Sequence, residues 1–86
     1  MKQAEIIKKL KEGYYIKYEE ISYTRRIFLY APDSEYFVEV LNAKQLESLL
    51  SKGIIRFYSS DNGSMIHPNR TVQRCFKKYI YNTKGE

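Results

Sequence analysis

The chain has one cysteine, one histidine, two prolines, four glycines and no tryptophan in 86 residues. A single thiol excludes an internal disulfide and a thiolate metal cluster, and Cys75, next to Phe76, reads as core packing. One histidine, His67, set before a proline, is too few for a convergent metal site, and no Ser, His and Asp grouping has interpretable spacing. Gly13, Gly53, Gly63 and Gly85 are isolated from one another, so the phosphate-cradling glycine loop is missing. No apolar run approaches the roughly 18 residues that a spanning helix requires. The first ten residues, MKQAEIIKKL, lack the apolar centre of a secretory signal. These absences point to a cytoplasmic, non-enzymatic chain with no catalytic residue, cofactor or metal. In that compartment the glycosylation patterns at Asn62-Gly63-Ser64 and Asn69-Arg70-Thr71 are chance matches.

What the chain has in quantity is positive charge and tyrosine. Fifteen Lys plus Arg against ten Asp plus Glu give a net charge of +5, and nine of the residues are tyrosine. A positive field raises encounter rates with polyanions, which favours nucleic acid, an anionic protein surface or a membrane face. The length suits one domain over residues 1–86, with residues 82–86 read as a frayed tail.

Along the chain the hydrophobic period changes several times. Ile6, Ile7 and Leu10 share one face of a helix over residues 3–12, which Gly13 ends. In residues 14–23, Tyr14, Ile16 and Tyr18 alternate with Tyr15, Lys17 and Glu19, as in a strand. A polar break over residues 22–26 leaves Arg25 and Arg26 at a loop exit, placed to reach a phosphate or to pair with Glu19, Glu35 or Glu39. A second strand follows over 27–30, then a turn at Ala31-Pro32-Asp33-Ser34 and a third strand over 36–41.

Residues 42–66 are the stretch with the most consistent local signals. Asn42 and Gln45 stand at capping-box spacing, and Ala43, Leu46, Leu49 and Leu50 form an apolar stripe that Gly53 closes. Residues 54–58 read as a strand, Asp61-Asn62-Gly63 as a tight hairpin turn, and Met65 and Ile66 as the return strand. Beyond Pro68, Val72, Cys75, Phe76, Tyr79 and Ile80 recur at helical spacing behind Asn69 as a cap. Arg70, Arg74, Lys77, Lys78 and Tyr81 fall on the opposite side of that helix. The expected fold is α+β: an antiparallel sheet of about five strands with two or three helices, in the order α-β-β-β-α-β-β-α.

The order helix, Gly53, strand, Asn-Gly turn, strand resembles the recognition helix and wing of winged-helix domains, with one helix and three strands in place of the helices expected before it. In size, basic charge and Lys/Ile/Tyr-rich composition the chain also looks like the small accessory proteins of bacteriophages and mobile elements. That set includes anti-CRISPR proteins and other inhibitors of host defence, which commonly occupy a nuclease or its nucleic-acid channel. The resemblance implies a phage-encoded binding protein in the host cytoplasm that inhibits or modulates a protein complex handling nucleic acid. The alternative is direct binding of DNA or RNA by a winged-helix-like accessory protein. Arg25, Arg26, Arg56, Tyr58, Arg70, Arg74, Lys77, Lys78 and Tyr81 are the expected contacts under either reading. Tyr15, Tyr23, Tyr58 and Tyr81 are the tyrosines that the strand and helix phases leave most exposed. No membrane is involved, and the chain is expected as a monomer, or as a homodimer paired through the tyrosine-rich strand at residues 14–18.

Overall fold

The computed structural model describes the backbone of residues 2–67 and 70–83, and the side chains of these residues except 63–67 and 70–73. Two helices lie on one face of a five-stranded antiparallel sheet, in the chain order α-β-β-β-α-β-β. Helix α1 spans Gln3–Lys11 and α2 spans Ala43–Ser51. The strands are β1 (Tyr15–Ile21), β2 (Thr24–Tyr30), β3 (Phe37–Leu41), β4 (Ile55–His67) and β5 (Arg70–Tyr81). Their order across the sheet is β3-β2-β1-β5-β4, with each neighbouring pair antiparallel.

Both helices form where the sequence places them, and their ends show why. At the start of α2 the Asn42 side chain accepts the Gln45 N–H at 2.8 Å, and the Gln45 side chain accepts the Asn42 N–H at 3.0 Å, a reciprocal capping box. Each helix stops on a glycine at positive φ, +105° at Gly13 and +70° at Gly53, conformations that a Cβ strains. The chain then folds back, with Tyr14 N–H donating to Lys9 O at 3.1 Å and Ile54 N–H to Leu49 O at 3.0 Å. These bonds satisfy carbonyls that the helix end would otherwise leave open. Asn42→Ala is expected to cost about 1 kcal/mol, read as a lower denaturant midpoint at unchanged slope.

The core lies between the helices and one sheet face. Ile6 and Leu10 of α1 and Leu46 and Leu49 of α2 pack with Ile16, Ile27, Leu29, Leu41 and Ile55. In α2 only Leu46 and Leu49 of the expected stripe are buried; Ala43 and Leu50 are exposed. Tyr14, Tyr18, Tyr79 and Tyr81 line the rim of this core.

Within the sheet the structure departs from the sequence reading in four places. First, residues 70–81 are a strand, so there is no α-helix after β5 among the described residues; the Asn69 cap lies outside them. β5 sits between β1 and β4, and it carries apolar groups toward both faces. An interior strand loses simple alternation, and here the remaining pattern happens to match a helical period. Second, Asp61-Asn62-Gly63 is not a turn. It continues β4, paired with Phe76, Cys75 and Arg74 of β5, so α2 is followed by a thirteen-residue strand rather than a short wing. Third, Arg25 and Arg26 lie within β2 opposite Glu20 and Glu19, because the reversal takes only Ser22, at φ +54°, and Tyr23. Fourth, β1 is the central strand, with both edges taken by β2 and β5, so residues 14–18 have no edge to offer a second copy. The free edges belong to β3 and β4.

At the C-terminus, Asn82 is not frayed: its N–H donates to Ile54 O at 2.8 Å and its Nδ2 to Gly53 O at 3.1 Å. The end of β5 is thereby fastened to the turn that closes α2. No helix among the described residues is long and apolar enough to cross a membrane.

Candidate nucleic-acid interface

Strand alternation gives the sheet a second face, away from the helices, and no described element covers it. Register assigns its occupants. Opposite pairs on this face are Tyr15 with Tyr30, Lys17 with Phe28, and Glu19 with Arg26 between β1 and β2. Between β1 and β5 they are Lys17 with Lys78, Glu19 with Phe76, and Ile21 with Arg74. The row continues outward to Phe37 and Val40 on β3, and to Arg56, Ser59 and Asp61 on β4.

The aromatics hold one another upright across the strands. Tyr15 and Tyr30 stack at 5.4 Å with their planes 6° apart, Phe28 meets Phe37 at 4.7 Å, and Phe28 meets Tyr30 edge-on at 6.2 Å. Phe28 is thereby buried to 8% exposure although it lies outside the core beneath the helices. Cations fill the gaps between rings. Lys17 Nζ is 4.9 Å from the Phe76 centroid and 5.8 Å from that of Tyr30, while Lys78 Nζ is 4.3 Å from Tyr15 and 5.1 Å from Tyr58. The Arg74 guanidinium lies 4.8 Å over Phe76. Each such contact is worth about 0.5–1 kcal/mol at an exposed site.

Lys17 and Lys78 face each other directly across the β1–β5 ladder. Like charges at opposed positions destabilise a sheet. The one salt bridge among the described residues, Arg25 Nε to Glu20 Oε1 at 3.7 Å, lies elsewhere, so neither ammonium has a carboxylate of a described residue within ion-pair distance. Beside the two lysines, Tyr15, Ser59, Ser60, Asp61, Arg74, Phe76 and Lys77 complete the lining of an open depression of about 370 Å³. Two ammoniums, a guanidinium and the Ser59 hydroxyl, against the single carboxylate of Asp61, leave this concavity net positive and suited to a phosphate. No group of three or more His, Cys, Asp or Glu among the described residues is placed to hold a metal ion.

Burial raises the Tyr30 phenol above its ordinary value near 10, reinforced by the charges of Tyr15 and Glu19. Burial likewise raises Tyr18, whose hydroxyl donates to Glu20 Oε2 at 3.0 Å. A raised folded-state pKa means that the folded form holds the proton more tightly. The associated stability is therefore complete below about pH 10 and is lost as pH rises through the folded values. An absorbance titration at 295 nm is expected to show Tyr18 and Tyr30 ionising late, and Tyr30→Phe to remove one of the late steps.

The nine expected contact residues are divided among several surfaces. Tyr58, Arg74 and Lys78 come together in the depression or beside it, and Arg26 and Arg56 flank it at register positions on the same face. Lys77 is on the helix side, 5.8 Å over the Tyr18 ring, and Arg25 pairs with Glu20. Tyr81 packs against the core. Of the other tyrosines expected outside, Tyr23 is fully exposed at the β1–β2 turn and Tyr15 is half-buried in its stack. The Arg70 side chain lies outside the described residues.

Lys17, Tyr30, Phe28 and Phe76 were not singled out from the sequence. The available signal was that β1 and β5 carry aromatics at both odd and even positions, which a strand with one solvated face has no reason to do. No protein-family model, curated protein or solved structure matches this chain.

Proposed function

We propose that the chain is a non-enzymatic nucleic-acid-binding accessory protein that holds single strands on the open face of its sheet. The observation that carries this reading is the opposed pair Lys17 and Lys78, unneutralised and set among Tyr15, Tyr30, Tyr58 and Phe76. Phosphates neutralise the ammoniums and relieve their repulsion. Bases stack on the rings that remain accessible, among them Tyr58 at 56% exposure. Base–aromatic stacking contributes about 1–3 kcal/mol per base and tolerates any sequence, because every base has a π-face.

A duplex gains only the phosphate half of this arrangement, since its bases are already stacked. The geometry favours direct binding over the indirect route in which the chain acts solely through another protein, although a protein that occupies single strands also modulates the machinery that handles them. The test is anisotropy of labelled single-stranded and duplex oligonucleotides of equal length at low and physiological salt. The single strand is expected to bind at least tenfold more tightly, with affinity falling steeply as salt rises. Equal binding of the two forms, or no binding at low salt, overturns the proposal.

A further inference from the structure

The free edge of the sheet at β3 has a different chemistry from the open face. Phe37–Leu41 pairs with β2 on one side and with no described strand on the other, so a row of backbone N–H and C=O groups stands open. The side chains there are apolar and exposed: Tyr36 at 79%, Val40 at 55%, Phe37 at 49% and Val38 at 47%. Register passes from Leu29–Glu39 to Tyr30–Phe37, leaving Val38 without a partner in β2. Edges that avoid association carry lysine, proline or inward charges, whereas this one presents large apolar groups.

Its charge is also opposite to that of the molecule. Residues 31–41, β3 and the loop before it, contain Asp33, Glu35 and Glu39 and no Lys or Arg in a chain of net charge +5; Arg25 and Arg26 of β2 reach only the far end of β3, beside Val40 and Leu41. We propose that this edge takes an extended basic segment of a partner protein, which adds beside β3 as a sixth strand. Its backbone bonds to the open groups of β3, its apolar side chains lie over Phe37 and Val40, and its Lys or Arg side chains reach Glu35 and Glu39. A second copy of β3 is disfavoured in this place, because antiparallel self-pairing sets acidic side chains against one another. The proposal does not depend on the nucleic-acid reading, since it uses the backbone edge of β3 and neither Phe37 nor Val40 lines the depression around Lys17 and Lys78.

The probe is a capped ten-residue peptide of alternating lysine and valine, compared with the same peptide carrying glutamate for lysine. The basic peptide is expected to bind the full chain and to slow hydrogen exchange at the amides of residues 37–41, with the acidic peptide at least tenfold weaker. The double substitution Glu35→Lys/Glu39→Lys is expected to reverse that preference while leaving the far-ultraviolet circular dichroism unchanged. Equal binding of both peptides, or protection along β4 in place of β3, overturns the proposal. So does a dimer of the unliganded chain that itself protects residues 37–41 at micromolar concentration, because the occupant is then a second copy.

Discussion

Replacing Lys17 and Lys78 together by glutamine is expected to weaken single-strand binding about 100-fold at low salt. A charge-assisted hydrogen bond contributes roughly 1.5–3 kcal/mol, and two such bonds lost, with some rearrangement of neighbouring cations, give an effect of that order. The logarithmic salt slope is expected to fall by about 1.4, from roughly 0.7 per phosphate contact on a single strand. Stability is expected to change little. The substitutions remove cation–π contacts to Tyr15, Tyr30, Tyr58 and Phe76, but they also remove a repulsive cross-strand pair, and the two effects are similar in size.

The charge-matched control is Lys44→Gln/Lys52→Gln, on exposed positions at the two ends of α2. It lowers the net charge by the same two units, yet it should leave affinity within about threefold, because long-range steering is screened beyond roughly 8–10 Å at ordinary salt. Equal losses in the two variants would mean that net charge, rather than the open face, holds the nucleic acid.

Leu29→Ala is expected to destabilise the fold by about 3–4 kcal/mol, because Leu29 is fully buried at the centre of the sheet beneath both helices. A domain of this size has total stability of order 5–10 kcal/mol, and each kilocalorie moves its midpoint by roughly 4–8 °C. Thermal denaturation should therefore show a drop of at least about 12 °C. Val40→Ala, 55% exposed on the open face, is expected to shift it by less than about 0.5 kcal/mol. The contrast measures which face is core: comparable losses at both positions would mean that the open face is covered in solution.

How much of this was legible beforehand depended on the range of the interactions involved. Asn42 and Gln45 meet three residues apart, and Gly13 and Gly53 permit a backbone turn that depends on their own lack of a Cβ. Both helices were accordingly readable, as were the first three strands in outline. The β4–β5 hairpin was not. Asn62-Gly63 has a strong local turn preference, and residues 70–81 carry a helical spacing of apolar groups. Both preferences lose to the twelve-pair ladder between β4 and β5 and the six-pair ladder between β5 and β1. Intrinsic propensities amount to less than about 1 kcal/mol per residue, so an extended ladder with side chains packed on both faces outweighs them.

The candidate site followed the same division. Composition and local pattern were enough to show that the chain is basic, tyrosine-rich, and closed at two helix ends by glycine. It also named Arg74, Lys78 and Tyr58 as candidates, although on the wrong element for the first two. Strand pairing, which no local pattern reveals, sets Lys17 from β1 opposite Lys78 from β5, gathers Tyr15, Tyr30, Phe76 and Tyr58 around them, and turns Lys77 and Tyr81 to the helix side. Lys17 and Lys78 are 61 positions apart in the chain and become neighbours only because β5 inserts between β1 and β4. The physical reason is the period-two rule of strands. Once β5 is extended rather than helical, successive residues point to opposite faces, and a basic stripe expected on one side of a helix divides between the core rim and the open face.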